Sequence, residues 1–192
     1  MWPYSSSTDA IASASANSEL TDPAALAQKF VESFVSVGAQ LTPELLTETS
    51  KTATVRIVRS DLQHAVCTVQ LQRVSANPAA YVVIAAQTDE LTMKPVGSVR
   101  GKTSVQVVGT FQSDPTTSSR LGSLYSAVLL PNGSTEAKRL APQLGTLNKA
   151  LPDQSWSATV NAPKRITQPG IVAAWTVDVN GVVLDFAAQP AG

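Results

Sequence analysis

The stretch that decides the fold lies near the C-terminus and has the sequence Gly170-Ile-Val-Ala-Ala-Trp-Thr-Val-Asp-Val-Asn-Gly-Val-Val-Leu-Asp-Phe-Ala187. Its centre, Asn180-Gly181, is typical of a two-residue type I′ turn, because both central positions of that turn require a positive φ. Such a turn predicts a β-hairpin and determines which residues of the two strands face each other. The predicted facing pairs are Val179 with Val182, Val177 with Leu184, and Trp175 with Phe186.

The two faces of this hairpin differ in character. The six residues of the facing pairs are apolar and share one face, which requires a second layer to cover it. The opposite face carries Thr176, Asp178, Val183 and Asp185, and we expect it to lie in solvent. The pattern therefore predicts that the C-terminal half folds as a β-sandwich.

The composition restricts the possible partners of the 192-residue chain. Lysine plus arginine and aspartate plus glutamate number 14 each, so the formal charge is zero and we expect no nucleic-acid partner. No apolar run approaches the roughly 18 residues of a membrane span, and no signal peptide is recognisable. We therefore expect that any membrane attachment uses an anchor or targeting segment upstream of this chain.

The N-terminal half combines helix and strand signals. Residues 1–20 are mostly small and polar, which is typical of a linker or an edge segment. Asp22 and Pro23 predict a helix start, and Gly38 predicts its end. The apolar stripe of this helix consists of Leu26, Phe30, Phe34 and Val37. A second short helix is predicted over residues 42–46, and strands are predicted over 52–58, 65–74 and 80–86.

Strand and turn signals alone fill the rest of the chain. The predicted strands cover residues 104–111, 123–130, 155–160, 171–179 and 182–187. Taken together, the patterns predict the α+β class. A small α+β domain, with helix packed on antiparallel sheet, is expected over residues 21–88. An all-β immunoglobulin-like sandwich is expected over residues 89–192.

Two groups of side chains are the candidates for chemistry. Asp61, His64 and Cys67 lie close together in sequence, but residues three apart on a strand point to opposite faces, so we expect a buried structural Cys67 and a surface or turn His64. Asp178 and Asp185 would be diagonal neighbours on a solvated strand face. One cysteine and one histidine cannot form a structural zinc site. We therefore predict no catalytic, cofactor-binding or metal-binding residue, and no binding residue is identified.

Two blocks of the second half resemble the Gmad2-type immunoglobulin-like domain. The first is the Leu91–Thr110 segment, with a Pro-x-Gly loop followed by a Val-x-Val-x-Gly strand; the second is Trp156-Ser-Ala-Thr-Val160 with Pro169-Gly170 and the Asn180-Gly181 hairpin. With Trp2-Pro3-Tyr4 and the Ala80–Ala86 strand before it, the chain resembles two-domain extracytoplasmic proteins of actinobacteria. Phe111-Gln112-Ser113 lacks the acid that the family usually carries there, so no site residue is transferred.

The resemblance implies an envelope-associated or secreted protein, with lipoproteins and sporulation or germination proteins among its relatives, and no catalytic residue. The first hypothesis is a non-catalytic interaction module that binds a protein or a cell-wall polymer through loops or an open sheet edge. The second is a small-ligand carrier or enzyme with a pocket in the N-terminal α+β domain. Its candidate lining residues are Phe30, Phe34, His64, Tyr81 and Val83. The third is an architectural spacer domain.

Overall fold

Strands dominate the computed structural model, which describes residues 1–4, 6–14, 18–35, 40–76, 78–112, 120–135, 139–148 and 154–191. Within these ranges, eight strands form a larger antiparallel sheet and four form a smaller one. The larger sheet contains, in spatial order, β1 (Leu41–Glu48), β2 (Thr52–Arg59), β3 (His64–Ala76), β4 (Ala79–Gln87), β12 (Val183–Ala191), β11 (Gly170–Asp178), β7 (Leu121–Leu129) and β8 (Gln143–Leu144). The smaller sheet contains β5 (Leu91–Met93), β6 (Ser104–Phe111), β10 (Gln154–Asn161) and β9 (Thr146–Asn148).

Helical structure is confined to the N-terminal region of the described chain. Helix α1 covers Ser7–Ala14, a 3₁₀ turn covers Ser18–Leu20, and helix α2 covers Pro23–Glu32. The predicted start of α2 is confirmed, because the Asp22 carboxylate accepts the N–H groups of Ala24 and Ala25. The predicted end at Gly38, and Val37 of the apolar stripe, lie outside the described residues. No helix in the described ranges reaches the length and apolar character that a membrane span requires.

The prediction of a second helix over residues 42–46 is wrong, because this segment is part of the edge strand β1. It pairs with β2 from Leu41 opposite Arg59 to Glu48 opposite Ala53, with a bulge between Leu45 and Thr47. The Thr-Pro-Glu signal of a helix start is local. The long ladder to the alternating strand β2 satisfies more backbone groups than a single helical turn would.

The predicted fold class, an α+β domain followed by a distinct immunoglobulin-like sandwich, is also wrong. The larger sheet runs through both halves of the chain, since β4 pairs with the last strand, β12, at Ala86 opposite Ala188. The helices lie on one face of this sheet, where Phe30 of α2 meets Phe186 of β12 with ring centroids 5.9 Å apart. One apolar core therefore contains side chains of both halves.

The smaller sheet covers the opposite face of β7, β11 and β12 and forms a second core. Successive residues of β11 alternate between the two cores: Ala173 and Trp175 belong to the first, and Val172 and Ala174 to the second. Every residue of β11 is consequently buried. The sandwich is present as a layer arrangement, but its larger sheet is shared with the N-terminal half.

The β11–β12 hairpin is confirmed, whereas its predicted turn and part of its register are wrong. Gly181 has a positive φ of 79° and Asn180 does not, so a type I turn with a glycine bulge replaces type I′. The Gly181 N–H donates to the Asp178 carbonyl, and the Asp178 N–H donates to the Val182 carbonyl. Trp175 faces Phe186 as predicted, but Val177 faces Val183 rather than Leu184 because β12 carries a bulge.

Candidate functional site

A gap opens in the larger sheet where β4 leaves it. After Gln87 the chain crosses to the smaller sheet and begins β5 at Leu91. The ladder between β4 and β12 consists of the single register pair of Ala86 and Ala188. Beyond that pair, polar side chains join the ends of β2 and β3 to the β11–β12 hairpin. We call this group the seam; its members are Arg59, Asp61, His64, Thr176, Asp178 and Asp185.

Arg59 is the centre of the seam and is 4% exposed. Its Nε and Nη2 donate to the two carboxylate oxygens of Asp61 at 2.9 and 3.0 Å. Its Nη2 also lies 2.8 Å from Oδ2 of Asp178, and its Nη1 donates to the Val183 carbonyl at 3.1 Å. The guanidinium thus joins the end of β2 to both strands of the hairpin with charge-assisted bonds.

Asp178 shows how the seam holds a charge in a buried position. Its Oδ1 accepts the backbone N–H groups of Asn180 and Val182 at 2.8 and 3.0 Å. Burial acts to raise the pKa of Asp178, but the Val182 N–H, Arg59 and the Asn180 N–H together outweigh it and hold the pKa below its ordinary value. The carboxylate is therefore ionised at neutral pH and fully bonded.

The second half of the seam is a histidine–carboxylate pair. Nε2 of His64 lies 3.1 Å from Oδ1 of Asp185, and the Thr176 hydroxyl donates to Oδ2 of Asp185 at 2.6 Å. Asp185 and Thr176 have no exposed surface. In a nucleophilic triad the hydroxyl contacts the imidazole. Here the hydroxyl contacts the carboxylate instead, so Thr176 orients Asp185, which in turn positions His64.

Cys67 lies next to the seam, and its thiol is 2% exposed as predicted. Burial, and then the negative charge of Asp185, raise the pKa of Cys67 far above that of an ordinary thiol. A thiol in such surroundings stays protonated and is a poor nucleophile or metal ligand. No cluster of three or more histidine, cysteine, aspartate or glutamate side chains in the described ranges could hold a metal ion.

The structure brings together all five side chains that the sequence singled out as two separate groups. Asp61 and Asp178 both form ion pairs with Arg59. Asp185 contacts His64 directly, and its negative charge acts on the nearby Cys67 thiol. The expectation that Asp178 and Asp185 lie on a solvated face is wrong: they are 4% and 0% exposed. His64 is half-buried rather than a free surface residue, with an 11% exposed side chain.

Sequence reasoning missed Arg59 and Thr176. A signal for Arg59 does exist, because Val55, Ile57 and Arg59 occupy the inward phase of β2, and an arginine in that phase requires a buried partner. Thr176 lies between Trp175 and Val177 and looks like any threonine in a strand, so no local signal marks it.

Two adjoining clefts open beside the seam, and we refer to them together as the junction cleft. The first, of about 270 Å³, is lined in part by His64, Thr68, Asp89 and Glu90. The second, of about 310 Å³, has a more apolar lining that includes Leu91 and Met93 of β5. The two share Gln87, Thr88 and Asp89, which form the crossing from β4 to β5. The junction cleft therefore has an acidic part and an apolar part.

The space between α2 and the sheet, where a ligand pocket was one hypothesis, is occupied by side chains. Phe30, Tyr81 and Val83 are fully buried. The ring centroids of Trp2 and Phe30 are 5.4 Å apart. The backbone N–H groups of Trp2 and Val83 each donate to the carbonyl of the other residue. Of the five residues proposed as pocket lining, His64 lines the junction cleft and Phe34 lines a third cleft.

No family model matches this chain, and no curated protein and no solved structure matches it. The resemblance to the Gmad2-type domain therefore remains an expectation from sequence.

Proposed function

We propose that this protein is a non-catalytic interaction module of the bacterial cell envelope, and that its partner, a protein or a cell-wall polymer, binds at the junction cleft. The envelope location rests on the sequence resemblance alone. The non-catalytic role is supported by one observation above all: the reactive groups of the seam are bonded to one another or buried. His64 and the neighbouring Cys67 line a cleft, but His64 is bonded to Asp185 and the Cys67 thiol is buried.

The lining of the junction cleft favours a protein segment over a polymer as the partner. Its acidic part, with Asp89 and Glu90, complements a basic side chain, and its apolar part, with Leu91 and Met93, complements an apolar one. Apart from the imidazole of His64, none of the described residues that line it has an aromatic ring, so this lining offers no large flat apolar surface against which a sugar ring would stack. A short basic and apolar segment of a partner protein fits this pattern best.

Strand addition at the edge of β1 is a less suitable mode of contact. The Ser60 N–H donates to the Gln40 carbonyl, so alternate residues beyond Gln40 bond to β2 and those between them face outward. Pro43 occupies an outward position and has no N–H to offer. The bulge at Leu45 interrupts the ladder further along. Both features protect sheet edges against added strands.

Site-specific cross-linking tests the proposal. A photoreactive amino acid at Thr68, which lines the junction cleft, should capture a partner from envelope extracts, and the same group at Lys51, an exposed residue of the β1–β2 turn, should not. The double variant Asp89→Asn/Glu90→Gln should abolish capture. A control with the same charge change, Glu32→Gln/Glu44→Gln, should leave it intact, since both residues are exposed and away from the cleft.

Three outcomes would contradict the proposal. Equal capture at Thr68 and Lys51 would favour the spacer hypothesis, because a spacer has no saturable partner. Binding to purified cell walls that excess protein extract does not displace would identify the polymer as the partner instead. Turnover of an ester, phosphate, glycoside or peptide substrate that His64→Gln abolishes would show that the protein is an enzyme.

A further inference from the structure

The third cleft lies on the face of the larger sheet that carries α2. It has a volume of about 300 Å³ and is lined by Phe34, Tyr125, Arg139, Pro142, Trp175 and Val177, among others. Its described lining residues are all different from those of the junction cleft. We call it the Arg139 cleft, and the inference drawn from it does not depend on the function proposed above.

Arg139 is half-buried, and one of its donor atoms is buried without an acceptor. Its Nη1 atom is shielded from solvent and has no hydrogen-bond partner. No carboxylate in the described ranges forms an ion pair with it, in contrast to Arg59 in the seam. Burial lowers the pKa of Arg139, yet a guanidinium keeps its proton at neutral pH. Arg139 thus brings a positive charge to the wall of the cleft, and one of its donor atoms, Nη1, is left without an acceptor, which is a costly state.

Aromatic rings form the walls around this charge. The Arg139 guanidinium lies 5.8 Å from the centre of the Trp175 ring. Tyr125 stacks on Trp175 with centroids 5.9 Å apart, and Phe34 lies 6.2 Å from Trp175 in a tilted arrangement. Tyr125 is the more accessible of these rings, since Trp175 is 4% exposed and Phe34 is fully buried. Such rings suit the apolar body of a ligand, and a guanidinium fork matches the two oxygens of a carboxylate.

We propose that the Arg139 cleft binds a small organic carboxylate, with the carboxylate bonded to Arg139 and the apolar body packed against Tyr125 and the exposed part of Trp175. The carboxylate has two possible sources, a free organic acid or the C-terminus of a peptide. A phosphate ester would offer a similar charge, but its tetrahedral oxygens fit a single planar fork less completely than a carboxylate does.

The test compares ligands that differ only in charge. Calorimetric titration uses phenylacetate against phenylacetamide, and the peptide Ala-Ala-Phe with a free C-terminus against the same peptide amidated. Each carboxylate should bind saturably and roughly ten- to hundredfold more tightly than its amide, as loss of a charge-assisted bond predicts. If Ala-Ala-Phe with a free C-terminus binds more tightly than phenylacetate, the carboxylate comes from a peptide C-terminus. If phenylacetate binds more tightly, the ligand is a free organic acid.

Two variants locate the binding. Arg139→Gln should abolish the difference in affinity between each carboxylate and its amide. Arg139→Lys should retain part of this difference, because lysine keeps the positive charge but lacks the two-pronged guanidinium. Arg100→Gln, which removes the charge of an exposed arginine, should leave the affinities of all four ligands unchanged. Circular dichroism verifies that each variant is folded, and the wild-type comparison of acid with amide is decisive without any variant. Equal affinities for acid and amide, no saturable binding, or preference for phenyl phosphate would overturn the proposal.

Discussion

Replacing Arg59 by methionine should destabilise the protein by about 3 kcal/mol, because it leaves the buried Asp178 carboxylate without its counter-ion. Breaking a buried ion pair from one side costs about 3–5 kcal/mol in general. The lower end applies here because Asp178 keeps two backbone N–H bonds. The lost contact with Asp61, whose side chain is 51% exposed, adds at most about 1 kcal/mol.

The matched control lies on the same strand. Arg56 pairs with Glu44 across 3.7 Å on the exposed face of β1 and β2, with 45% and 48% of the two side chains exposed. Arg56→Met should therefore cost less than about 1 kcal/mol. Urea unfolding followed by tryptophan fluorescence and by circular dichroism measures both variants, and agreement of the two signals shows whether unfolding remains two-state.

A double-mutant cycle separates the ion pair from lost packing. Asp178→Asn alone should cost roughly 1–2 kcal/mol, because asparagine can still accept the backbone N–H groups. Arg59→Met combined with Asp178→Asn should then be more stable than the sum of the single effects by at least ~1 kcal/mol. If Arg59→Met costs no more than Arg56→Met, or if the two seam substitutions add within ~0.5 kcal/mol, the seam does not join the two halves of the sheet as argued.

Three further expectations follow from the same contacts. Gly109→Ala should unfold or severely destabilise the chain, because a Cβ there would lie 1.9 Å from the Thr92 carbonyl oxygen and 2.7 Å from the Trp156 indole nitrogen; thermal unfolding measures the loss. Cys67 should react with a thiol reagent only at the rate of unfolding, since it is buried and its pKa is raised; reaction at the rate of a free thiol in native buffer would contradict its burial. The pKa of Asp178 in the folded protein lies below that of an unfolded aspartate, ~3.9. Its ionised carboxylate therefore contributes fully to the free energy of unfolding above the unfolded pKa, and this contribution is lost as the pH falls through the lower, folded pKa. Between about pH 5 and pH 2 the wild type should therefore lose more stability than Asp178→Asn, as urea midpoints at each pH will show.

Local patterns predicted most of the individual strands. Alternation and turn residues predicted β6 over residues 104–111, where the structure has Ser104–Phe111, and predicted β3 and β4 within two residues at each end. The failures are β1, where a capping signal at Thr42-Pro43 competes with pairing to β2, and the short strands β5, β8 and β9, which were not predicted. A strand is stabilised by its neighbour, and a single sequence window does not contain that neighbour.

The candidate site was predictable only in its parts. Asp61, His64, Cys67, Asp178 and Asp185 were recognised as ionisable side chains in strands or turns, but nothing in the sequence showed that residues more than a hundred positions apart would meet. They meet because β12 returns to pair with β4 and because β4 leaves the sheet at Gln87. Sheet order is a property of the whole chain, and short-range periodicity does not encode it.

By itself, the sequence determined the hairpin of residues 170–187 and the pairing of Trp175 with Phe186, because these depend on side-chain alternation within a few residues. Near the turn the predicted faces are wrong, since Val179 is 75% exposed and Val183 is buried in the first core. The tertiary structure alone decided that Asp178 and Asp185 are buried, since alternation distinguishes the two faces of a strand but does not show whether a second layer covers the polar one. Here the smaller sheet and the seam cover that face, and the charges are tolerated because Arg59, His64 and Thr176 are there to bind them.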